Sequence, residues 1–62
     1  MDKEEKNGLE KIRDTLRETA DTIDEILILD KREDNGEDVQ KETEAALGRF
    51  TLKMIELQTL SQ

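Results

Sequence analysis

The stretch Ala45–Leu60, AALGRFTLKMIELQTL, constrains the fold of this chain more than any other. It is the least charged part of a heavily charged sequence, with two basic groups and one acidic group between residues 45 and 62. Read as a helix turning about 100° per residue, it is apolar on two opposite sides. Taking Phe50 as the origin, Val39, Thr43, Ala46, Leu47, Met54 and Leu57 fall within roughly 60° of it. Ala45, Gly48, Leu52, Ile55 and Thr59 fall on the far side, and Arg49, Lys53 and Glu56 sit between the two. A lone helix facing water rarely carries both stripes. One side can be covered by the rest of the chain; the other calls for a second copy or a partner.

The first half reads as a second helix. Its apolar positions run Leu9, Ile12, Leu16, Thr19/Ala20, Ile23 and Ile26/Leu27. This alternation of threes and fours is the spacing of a helix in a bundle or coiled coil. Asp30 then ends the seam, while Ile28 and Leu29 broaden the apolar surface at this end. Asn7, with Glu10 three residues on, offers an N-terminal cap, and Asp2 with Glu5 is a rival start. Between the helices lies KREDNGED, residues 31–38, whose Asn35-Gly36 pair is a turn dipeptide. Asp38 is the expected cap of the second helix.

The expectation is an all-α antiparallel two-helix hairpin, a single domain over 1–62. The first helix spans about 8–33, the turn 34–37 and the second helix 38–60. A chain below about 70–80 residues usually needs a staple or a partner. With no Cys and no His, neither a disulfide nor a Cys/His zinc site supplies one. Association into a homo-oligomeric bundle, most simply a dimeric four-helix bundle, is the remaining remedy. The expected hairpin core is Leu9, Ile12, Leu16, Ile23, Leu27, Leu47, Phe50, Met54 and Leu57. The expected oligomer interface is Ala45, Gly48, Leu52 and Ile55 with Ile28 and Leu29.

Charge narrows the function. The net charge is −7, and 44% of residues are charged, so non-specific binding to nucleic-acid phosphates is disfavoured. The longest apolar run, Ile26–Leu29, is far too short to cross a membrane or serve as a signal peptide. No membrane partner is expected, and the expected location is cytoplasmic. Catalysis has little to draw on without His, Cys or an aromatic hydroxyl, so no enzyme and no cofactor are expected.

Three constellations remain. Asp14, Glu18, Asp21 and Glu25 form an acidic row on the first helix, opposite its seam; it is either a solvated face or a stand-in for a phosphate row. Arg49 and Lys53 are four apart on the second helix. They pair with carboxylates of the first helix or of another copy, or they contact an anion such as a nucleotide held by an oligomer. The turn partly imitates a calcium loop through Glu33, Asn35 and Glu42, but Lys31 occupies the first ligand position, so no metal is expected.

Two resemblances add to this reading. Met1, Lys3, Glu5-Lys6, Leu9, Arg13, Thr19 and Leu29-Asp30 resemble the opening of the Rop family of plasmid copy-number regulators, over the first half only. That resemblance implies a hairpin dimer that binds paired RNA loops with one face of the first helix. The face would fall here on Lys3, Glu10, Asp14, Glu18 and Glu25, and its four acids repel RNA; the architecture carries over and the RNA binding does not. The segment Asp30–Leu57, with Gly36-Glu37-Asp38-Val39 and Gly48-Arg49-Phe50, is similar to short proteins of Gram-positive phages and prophages. That similarity implies an accessory or anti-defence protein, acting in the host cytoplasm. With the two-sided second helix, the acidic surface and the lack of catalytic chemistry, the expected function is a protein-binding factor that occludes a host protein; a purely structural homo-oligomer is an alternative.

Overall fold

The computed structural model describes all 62 residues and contains two helices, α1 (Lys3–Asp34) and α2 (Gln40–Leu60), with no strand. They lie antiparallel in a rod of 52 × 15 × 10 Å. The chain is all-α, and its hairpin follows from the sequence periodicity. At 1.5 Å per residue α1 is about 48 Å long and α2 about 31 Å.

α1 begins five residues earlier than the periodicity suggests. The Asp2 carboxylate accepts from the Glu5 N–H at 2.8 Å, so the rival start supplies the cap and Asn7 lies inside the helix. Glu4 and Glu5 in the first turn and Lys31 and Arg32 in the last oppose the helix dipole in the favourable sense. Apolar spacing could not place this start, because residues before Leu9 have no neighbour to pack against. α1 and α2 approach their far ends near Lys11 and Leu60, which border the same shallow depression. Roughly two turns of α1 therefore project past α2.

The turn is a glycine-terminated helix end. The Gly36 N–H donates to the Glu33 carbonyl at 2.9 Å and the Glu37 N–H to the Arg32 carbonyl at 3.1 Å. Gly36 takes φ +91°, a conformation that costs an L side chain about 1–2 kcal/mol. The Arg32 guanidinium meets the Glu37 carboxylate at 3.2 Å across this turn, and the bond to Glu37 raises the Arg32 pKa. The expected second cap is displaced by one position. Val39 occupies it without a side-chain cap bond, and the Asp38 carboxylate accepts from the Gln40 N–H at 3.3 Å.

Six residues are buried: Leu29, Val39, Ala46, Thr15, Thr19 and Thr22. Leu29, Val39 and Ala46 form the apolar core near the turn, with Ile26 packed against it. Further along, the helices meet through threonines. The Thr19 hydroxyl donates to the Thr15 carbonyl at 2.7 Å and the Thr22 hydroxyl to the Glu18 carbonyl at 2.9 Å. These two hydroxyls are satisfied within α1, which leaves their methyl groups and a narrow side chain for the other helix.

Candidate association surface

The hairpin contact runs along one line on each helix. On α1, turning about 100° per residue, Thr19, Thr22, Ile26 and Leu29 lie within roughly 40° of Thr15. On α2, Val39, Phe50, Lys53 and Leu57 lie within roughly 40° of Ala46. Burial follows these directions: Thr15, Thr22, Leu29, Val39 and Ala46 are enclosed, while Ile12, Ile26, Phe50 and Leu57 are half-buried.

The largest apolar side chains point elsewhere. Leu9, Leu16, Ile23 and Leu27 sit about 80–120° round α1 from the contact line, and Leu47 and Met54 about 80–100° round α2. All six are exposed, Leu16 at 52% and Leu27 at 61%. This corrects the expected core: these six do not close the hairpin. The contact selects small residues that let the two backbones approach, and leucine at these positions falls one step outside the line. Ile12, Phe50 and Leu57, also expected in the core, lie on or beside this line and are half-buried.

Equal rotations from the contact line point to the same side of an antiparallel pair. Leu9, Leu16, Ile23, Leu27, Leu47 and Met54 therefore share one side of the hairpin. The other side is ionic. Arg49 pairs with Glu25, and Lys53 reaches both Glu18 and, at 3.4 Å, Glu56. The Thr15 hydroxyl donates to Glu56 at 3.5 Å on the same side. The hydrogen bond to Glu18 raises the Lys53 pKa, assisted by Glu56 and opposed by partial desolvation.

This arrangement bears on both charged constellations. Arg49 and Lys53 each hold a carboxylate of α1, so neither presents a free cation to an anion. In the acidic row, Glu18 and Glu25 are paired across the hairpin and Asp14 with Arg13 at 3.0 Å; only Asp21 has no ion-pair partner. Arg17, which has helical spacing to both Asp14 and Asp21, pairs with neither. A row meant to imitate phosphates needs uncompensated charge, and three of these four acids are compensated.

The expected oligomer interface divides. Leu29 is enclosed within the hairpin, between α1 and the start of α2, so it cannot meet another copy. Ala45, Gly48, Leu52 and Ile55 lie on the outer flank of α2, with Leu52 66% exposed. A Cβ added at Gly48 would meet nothing within 4 Å. Ile28 is exposed on the outer flank of α1, separated from them by the ionic side.

The surface offers no enclosed site. One open depression of about 430 Å³ is lined by Asp38, Gln40, Lys41, Glu42 and Glu44, and another of about 320 Å³ lies between the far ends of the helices. No three carboxylates are gathered as a metal-binding group. No helix is long and apolar enough to cross a membrane. Comparison with protein-family models, curated proteins and solved structures gives no match.

Proposed function

We propose that this chain is a non-enzymatic protein-binding factor that works as a homo-oligomer. One observation carries the proposal: apolar side chains remain exposed along both helices, on one whole side of the hairpin and on the outer flank of α2. Contiguous exposed apolar surface on a small domain marks a site of association. Two such surfaces on one short hairpin suit two roles, one for self-assembly and one for another protein. The acidic charge keeps the assembly soluble and limits unspecific contact. The partner expected from the resemblance to phage accessory proteins is a host defence protein, held by occlusion rather than by chemistry.

The charged alternatives are less well supported. Mimicry of nucleic acid loses most of its charge to Lys53, Arg49 and Arg13, and a nucleotide sponge loses its cations to Glu18 and Glu25.

The test is affinity capture from a Gram-positive host lysate with the wild-type chain and with Leu52→Asp/Ile55→Asp. Specific recovery of one host protein by the wild type, lost in the variant at unchanged subunit mass, supports the reading. Recovery of nothing above background, or equal recovery by both, overturns it.

A further inference from the structure

We infer that the open apolar side of the hairpin is closed by the same side of a second copy, so that Leu9, Leu16, Ile23, Leu27, Leu47 and Met54 form the seam of a four-helix dimer. The inference rests on the self-association just proposed and assigns its surface.

Three observations choose this occupant. The first is pattern. Leu9, Leu16 and Ile23 recur every seven residues, as do Leu47 and Met54 on α2. The enclosed Thr15, Thr22 and Leu29 and the enclosed Val39 and Ala46 recur every seven beside them. The half-buried Ile12, Ile26, Phe50 and Leu57 stand between these rows. Burial falls in steps from the contact line toward the open side on both helices. That gradient describes half of a bundle whose second layer lies against the exposed row.

The second is area. The folded chain exposes 5066 Å². An unfolded chain of 7.2 kDa exposes about 10,400 Å², of which a domain of this size buries about 60%. The hairpin buries only about half, a shortfall of roughly 900 Å². Each member of a standard protein pair covers about 800 Å², so one second copy makes good the deficit.

The third is charge. A chain of net charge −7 repels its own copy unless the acids are kept apart. Glu18, Glu25 and Glu56 lie on the ionic side with Lys53 and Arg49. Apposing the apolar sides places these acids on the outside of the dimer, and the six seam side chains carry no charge; Asp30, the next position after Ile23 in the series, is exposed at the turn end of the hairpin, where the seam stops.

The chain has no cysteine, so a single introduced thiol reports on one place. Leu16→Cys and Leu52→Cys are each followed by reaction with a disulfide reagent while molar mass is read by light scattering. The expected result is a mass twice 7.2 kDa at high concentration, with the Leu16→Cys thiol protected by about tenfold or more there and freed on dilution, and the Leu52→Cys thiol reactive throughout. Leu16→Asp/Ile23→Asp gives a subunit of single mass, whether or not it stays helical. Protection of the Leu52→Cys thiol but not of the Leu16→Cys thiol, in variants that still dimerise, overturns the seam and leaves self-association standing. A folded wild-type monomer at every concentration overturns both.

Discussion

Lys53 of α2 extends to Glu18 of α1 from a position that the seven-residue spacing assigns to the hairpin contact line, the line of Val39, Ala46 and Leu60. Its stem lies along the contact and its ammonium reaches the rim, where Glu18 and Glu56 receive it. The pair marks which side of the hairpin is ionic, and so which side is left to apolar contact.

The pairing sets an alkaline limit. The Lys53 pKa is raised in the folded chain, so its contribution is fully present below the ordinary lysine value and is lost as pH rises through the raised one. Lys53→Met removes that titration while keeping an apolar stem on the contact line. Melting temperatures of the two proteins should keep their separation up to the ordinary lysine value and converge only as pH rises past the raised one. A margin that stays constant from neutral to strongly alkaline pH would show that the ion pair contributes nothing to the fold.

The hairpin contact depends on small side chains. Ala46 is fully enclosed and Thr19 nearly so. Ala46→Leu or Thr19→Leu forces the helices apart and should cost about 1–3 kcal/mol, read from urea midpoints. Helix propensity alone ranks leucine close to alanine and above threonine. Wild-type midpoints for both variants would therefore mean that the helices do not meet along this line.

How much of this was legible in the sequence differs between the helices and their contact. The two helices and the Asn35-Gly36 turn follow from spacing and turn chemistry. Which face closes the hairpin did not, because Leu9, Leu16 and Ile23 dominate any reading by hydrophobicity. The signal was present in Thr15, Thr22 and Leu29, which repeat every seven residues, and in Val39 and Ala46, which do the same. Threonine reads as polar until its hydroxyl is given to the carbonyl four residues back, as Thr19 and Thr22 do. The ion pairs of Arg49 and Lys53 with α1 were legible as charge complementarity, but their choice of Glu25 and Glu18 required the register that the turn imposes.

That register hangs on Gly36. Its φ of +91° suits glycine, and nothing within 4 Å obstructs a Cβ, so the cost of a side chain there is conformational rather than steric. Gly36→Ala should destabilise by about 1–2 kcal/mol, and Gly36→Asn by less because asparagine tolerates this region. Thermal melting of the three proteins checks the order. If alanine and asparagine prove equal to glycine, the turn adopts another conformation in solution.

The Asp2 cap should behave differently from an ordinary cap. Losing a capping carboxylate costs about 1 kcal/mol where the helix end is coupled to the rest of the fold. Here the first two turns of α1 project past the end of α2, so fraying can release them without disturbing Thr15, Thr19 or Ala46. In the single hairpin, at concentrations below those at which copies associate, Asp2→Ala should therefore accelerate amide exchange over Glu5–Leu9 while leaving exchange near Thr22 and Ala46 unchanged. The opposite outcome, a lowered unfolding midpoint with exchange accelerated across the whole chain, would mean that the projecting turns are packed against something. The seam proposed above would supply it, because Leu9 stands at the end of the exposed row, and the shift would then appear only at concentrations where the dimer forms. A cap variant studied across concentration thus reports how far along α1 the second copy extends.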